Sequence, residues 1–93
     1  MTQHSITTLS NTAATRLTPN GIHSGMDITI QNIDGTAYVY IGGEGATSTN
    51  YGFRISPGAA FSIELSGKDS LYATTDTDGS QVSILKTNLE VGN

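Results

Sequence analysis

The chain offers two imidazoles, His4 and His23, eight carboxylates and no cysteine, so its chemistry has to be sought among few groups. His23 lies close to Ser24 and Asp27, the three residue types of a nucleophilic acyl-transfer site. No Gly-x-Ser-x-Gly elbow and no oxyanion motif accompanies them, and no catalytic residue is assigned. Asp76-Thr-Asp78-Gly79 resembles the opening of a calcium loop, in which alternate carboxylates aim oxygens at a hard cation. Counted from Asp76, the sixth and twelfth positions hold Gln81 and Thr87 in place of the required Gly and Glu. A hairpin turn is the expected reading. Gly42-Gly43-Glu44-Gly45 follows a candidate strand, but it lacks the Gly-Lys-Ser/Thr and the helix that a phosphate cradle needs, and Glu44 would repel the anion. Paired carboxylates for glycoside hydrolysis find no support either, since these acids sit in turn-rich positions where they are usually solvated. The expectation is a protein that is not an enzyme, with no metal and no cofactor.

The elements that must carry these residues have a period of two. In Met26-Asp-Ile-Thr-Ile-Gln31 the apolar residues Met26, Ile28 and Ile30 share one face. Phe61-Ser-Ile-Glu-Leu65 repeats the pattern, and shorter versions occur in Phe53-Arg-Ile55, Leu71-Tyr-Ala73 and Val82-Ser-Ile84. Asn20-Gly21, Asp34-Gly35, Ser56-Pro57-Gly58, Ser66-Gly67 and Asp78-Gly79 punctuate them, and such pairs tolerate the positive φ of tight turns. Strands are expected near 12–18, 25–32, 37–42, 51–56, 60–65, 70–75 and 80–86. Their spacing, about one every 8–12 residues, predicts an all-β fold, an antiparallel β-sandwich or a jelly-roll-like small barrel. The expected core is Ile28, Ile30, Val39, Ile41, Phe53, Ile55, Phe61, Ile63, Leu65, Leu71, Val82 and Ile84. Residues 1–11 read as a flexible N-terminal segment, polar apart from Ile6 and Leu9, and 12–93 as a single β domain. The loop from Gly42 to Asn50 has Ala46 as its one apolar anchor. Both stretches are candidates for outside contact.

Tyr38 and Tyr40 are the most informative side chains. In Ala37-Tyr-Val-Tyr-Ile41 the residues Ala37, Val39 and Ile41 point one way, which leaves both tyrosines on the other face. They serve as cover within the domain, as ordinary surface residues, or as an interface, where tyrosine is enriched. Tyr38, Tyr40, Ile6 and Leu9 are therefore the candidate interface residues.

Composition narrows the partners. The formal net charge is −4, and Arg16, Arg54, Lys68 and Lys86 are scattered, so nucleic acid is not an expected partner. No apolar run approaches the roughly 20 residues that a membrane helix needs. The start, Met1-Thr-Gln-His-Ser-Ile6, has neither the basic nor the apolar part of a secretory signal, and synthesis in a cytoplasm is expected. Thr, Ser and Gly supply more than a third of the chain, a composition also found in disorder, yet the regular β-branched and aromatic spacing from Met26 onward argues for a packed fold.

The run Ile28-Thr-Ile-Gln-Asn32, Ala37-Tyr-Val-Tyr-Ile-Gly42, Tyr51-Gly-Phe-Arg-Ile-Ser-Pro-Gly58 and Leu71-Tyr-Ala73 resembles small β-rich virion proteins of tailed bacteriophages, over about residues 26–85. That resemblance implies a structural virion protein, a capsid decoration (cement) protein or a related head-fibre type. It further implies a homotrimer on the capsid surface, with the major capsid protein as partner. The alternative is a receptor- or carbohydrate-binding tail module, in which Tyr51 or Tyr72 would meet a sugar.

Overall fold

Alternation of side chains between two faces organises the protein, as Met26–Asn32 illustrates: Met26, Ile28, Ile30 and Asn32 are buried, and Asp27, Thr29 and Gln31 between them are not. The computed structural model describes residues 2–18, 25–66 and 69–87. Eight strands run through them: β1 (Gln3–Thr8), β2 (Thr15–Arg16), β3 (Met26–Asn32), β4 (Val39–Gly42), β5 (Phe53–Ile55), β6 (Ala60–Leu65), β7 (Tyr72–Thr75) and β8 (Gln81–Thr87). There is no helix among the described residues.

Two four-stranded sheets form, in the orders β1-β8-β3-β6 and β2-β7-β4-β5, with every pairing antiparallel. The arithmetic of these orders identifies the topology. β1 pairs with β8, β2 with β7, β3 with β6 and β4 with β5, as in one long antiparallel ribbon. Rolling that ribbon adds the β3–β8 and β4–β7 ladders. The result is a β-sandwich with jelly-roll strand order.

Between the sheets, Met26, Ile28, Ile30, Leu65, Val82 and Ile84 meet Val39, Ile41, Ile55, Leu71 and Ala73, and Leu9 and Leu17 complete the cluster. Two expected core members stand apart. Phe53 is 45% and Ile63 39% exposed, although their registers opposite Ile41 and Ile28 give them inward parity. The reason is position: β5 and β6 are the last strands of their sheets, and nothing beyond them closes that side. Phe61 is half-buried there, its ring 4.5 Å from that of Phe53, so the two rings form the seam.

Residues 3–8, within the stretch read as a flexible lead-in, form β1 against β8. The strand expected at 12–18 contracts to Thr15–Arg16. Turn signals at Asp34-Gly35, Ser56-Pro57-Gly58 and Asp78-Gly79 do mark chain reversals, and Gly58 and Gly79 take φ of 77° and 89°. Each carries the chain from one sheet to the other, however, so the hairpin expected at 76–79 is a corner between β7 and β8. Among the described elements only β4 and β5 are both consecutive and paired. Asn20-Gly21 and Gly67 lie outside the described residues.

Candidate functional site

The outer face of β2-β7-β4-β5 gathers what the sequence scatters. Tyr40 lies opposite Arg54 on β5 and Thr74 on β7, and Tyr72 lies opposite Arg16 on β2. Directly paired residues share a face, so this face carries Arg16, Tyr72, Thr74, Tyr40 and Arg54, with Tyr38 two residues before Tyr40. Tyr51 joins it by stacking on Tyr40, ring centroids 4.8 Å apart and tilted by 48°. All four tyrosines and both arginines of the chain thus collect here.

Each ring is engaged. The Arg54 guanidinium lies 4.8 Å from the Tyr38 ring centroid, and that of Arg16 lies 5.6 Å from the Tyr72 centroid. Arg16 also donates to the Tyr72 hydroxyl at 3.0 Å, the Ser70 hydroxyl at 2.8 Å and the Thr18 carbonyl at 3.1 Å. Under these groups Tyr40 is only 9% exposed. Burial there pushes its phenol above the usual tyrosine range, with the nearby negative charge of Asp76 adding to the shift. Tyr51 is 42% exposed and Arg54 is exposed, so they are the most open parts of the cluster.

The neighbouring loop is built to hold Tyr51. Ala46 is buried, and its N–H donates to the Gly43 carbonyl at 3.0 Å. Thr47 and Asn50 exchange backbone bonds at 2.8 and 3.3 Å, and the Thr47 hydroxyl accepts from the Asn50 N–H at 2.9 Å. A Cβ at Gly42 would come within 3.3 Å of the Ala46 Cβ, which explains glycine where the loop folds back on β4. A shallow hollow lined by Gly42, Gly43, Gly45, Ala46, Asn50, Tyr51 and Gly52 results.

The four candidate interface residues separate. Tyr38 is half-buried and Tyr40 buried, both on this face. Ile6 is 64% exposed, but on the outer face of the other sheet. Leu9 is a correction: it is 2% exposed and belongs to the core. Three residues along a strand reverse the face, and the Leu9 N–H donates to the Ser80 carbonyl at 2.8 Å, which extends the β1–β8 ladder and turns its side chain inward.

The polar candidates have structural partners. Asp76 accepts from the Tyr38 N–H at 3.1 Å and the Thr77 hydroxyl at 3.1 Å, and Asp78 accepts from the Asn11 N–H at 3.3 Å. No cluster of three metal-ligating side chains occurs among the described residues. His23 and Ser24 lie outside them; Asp27 sits on β3, and His4 is exposed on β1.

Asn32, which no motif singles out, is the most connected buried side chain among the described residues. Fully buried, it donates to the carbonyls of Ala37 at 2.7 Å and Ile55 at 3.2 Å and accepts from the Asp34 N–H at 3.1 Å. Its parity with Met26, Ile28 and Ile30 was the available signal: an amide in step with core residues has to find partners. Comparison with known proteins returns no matching family model and no matching curated relative.

Proposed function

We propose that this chain is a structural virion protein, a capsid decoration protein that binds the outer surface of a phage head as a homotrimer, with the major capsid protein as partner. The observation that supports a binding role is the concentration of four tyrosines and two arginines on one outer face, the residue types enriched in protein interfaces. Tyr51 and Arg54 are the contact residues of this reading, and Tyr40 is the platform beneath them. The head as target, and three copies as the unit, come from the sequence resemblance. The jelly-roll strand order agrees with this role and also with lectin-type binding, so it favours neither on its own.

Co-sedimentation with emptied heads of the encoding phage tests the reading. Wild-type protein is expected to pellet with heads, and Tyr51→Ser with Arg54→Ser to remain in the supernatant while keeping its β circular dichroism. Failure of the wild type to bind heads refutes it. The second reading, sugar recognition, is favoured by the exposed Tyr51 ring beside its hollow. Saturable binding on a glycan array that is lost in Tyr51→Ser would replace the capsid reading with that one.

A further inference from the structure

The four strands at the margins of the sheets are β1, β6, β2 and β5. An edge strand exposes unpaired backbone groups, and proteins guard such edges by shortness or by charge. β2 has two residues and includes Arg16; β5 has three and includes Arg54; β6 carries Glu64. β1, Gln3-His-Ser-Ile-Thr-Thr8, has six residues, none with a formal charge at neutral pH, and no proline.

The geometry of that edge is specific. The Leu9 N–H donates to Ser80, so residues 9, 7, 5 and 3 turn their backbone groups toward β8, and His4, Ile6 and Thr8 turn theirs away. Among the described residues no strand lies on that side of β1. Ile6 is at the middle of the outward set and is the most exposed of the large apolar side chains, at 64%. Leu85, 41% exposed, is diagonal to it across the β1–β8 pair, on the same outer face.

We infer that a second copy of this chain docks on the β1 edge, β1 against β1 and antiparallel, with a twofold axis at Ile6. That register pairs Ile6 with Ile6 and His4 with Thr8 of the other copy. The outward N–H and C=O groups of each copy satisfy those of the other, and the two sheets become one of eight strands. The two Ile6 side chains then meet on the shared outer face, flanked by the two Leu85. β1 carries no formally charged side chain, so pairing it with its own copy sets no like charges opposite one another in the new ladder. A twofold contact uses the same patch on both subunits, which a strand paired to itself fulfils. The contact lies on the sheet opposite the tyrosine face and does not depend on the virion reading.

The test uses the full chain at micromolar concentration. Light scattering is expected to give an even number of chains, and Ile6→Pro to halve that number. Proline at residue 6 removes an outward donor and leaves the β8 ladder intact. Because the chain has no cysteine, Ile6→Cys provides a second measure. On mild oxidation it is expected to form a disulfide-linked pair, since directly opposed residues meet the distance requirement, whereas His4→Cys stays single. A wild-type mass of one chain overturns the inference, as does an odd assembly unchanged by Ile6→Pro, or equal cross-linking of the two cysteine variants.

Discussion

The outer faces of the two sheets cover the same interior with different materials. On β2-β7-β4-β5, rings and guanidinium groups lie over one another and bury Tyr40 to 9% exposure. On β1-β8-β3-β6 the corresponding positions on β3 and β6 are Asp27, Thr29, Gln31, Ser62 and Glu64, polar groups among which the Thr29 and Ser62 hydroxyls share a 2.8 Å bond. The difference shows that outward parity does not mean surface. A face rich in large rings becomes a further packed layer, and substitutions there act on the fold, while equivalent positions opposite act on water.

The largest effect belongs to the interior that both faces share. Asn32→Leu leaves the Ala37 and Ile55 carbonyls without their donor, and a loss of about 4 kcal/mol is expected by urea unfolding. Next is the comparison itself. Tyr40→Ala removes the floor of the aromatic face and should cost about 3 kcal/mol, with Tyr40→Phe costing less than about 1; equal small effects would mean that the ring layer does not pack as described. At the corner leading from β3 to β4, the Thr36 and Ala37 N–H groups hold the Asp34 carboxyl below its ordinary value of 3.8. A lowered folded-state value means that this contribution is complete at neutral pH and lost as pH falls below about 4 through the folded value. Thermal midpoints measured downward from pH 5 should therefore fall less steeply in Asp34→Ala than in wild type. Arg54→Ala loses an exposed cation–π contact, for which about 0.5–1 kcal/mol is expected. Thr29→Ala, on the solvated face, should stay within about 0.5 kcal/mol.

Much of this architecture is written in local alternation. Ile28, Ile30, Val39, Ile41, Ile55, Leu65, Leu71, Val82 and Ile84 are buried as their period of two requires. What alternation does not carry is which strand stands at a margin, and so Phe53 and Ile63 have inward parity but no cover. Turn residues mark where the chain reverses without stating which sheet it enters next. That is why Asp78-Gly79 looks like a hairpin and is a corner. β1 carries no such signal, because Gln3-His-Ser-Ile-Thr-Thr8 has one apolar residue, and it points outward; its pairing partner, β8, lies far away in sequence. The candidate site was legible at Tyr38 and Tyr40, whose shared side follows from their spacing. The arrival of Tyr51, Arg54, Tyr72 and Arg16 beside them depends on pairings between distant segments.

The rolled ribbon also fixes an order of assembly. Its pairings nest: residue 39 meets residue 55 in β4–β5, residue 26 meets residue 65 in β3–β6, and residue 3 meets residue 86 in β1–β8. Each inner ladder shortens the loop that the next must close, so loop-closure entropy favours zipping from the 43–52 turn outward. β8 has to enter between β1 and β3, and neither can complete its ladder until residues 81–87 have left the ribosome. The same nesting makes β1–β8 the ladder whose opening disturbs the fewest others within one chain, and in Ile6→Pro, where no second copy covers β1, amide hydrogen exchange along Gln3–Thr8 should outpace that of Met26–Asn32, which is paired on both sides.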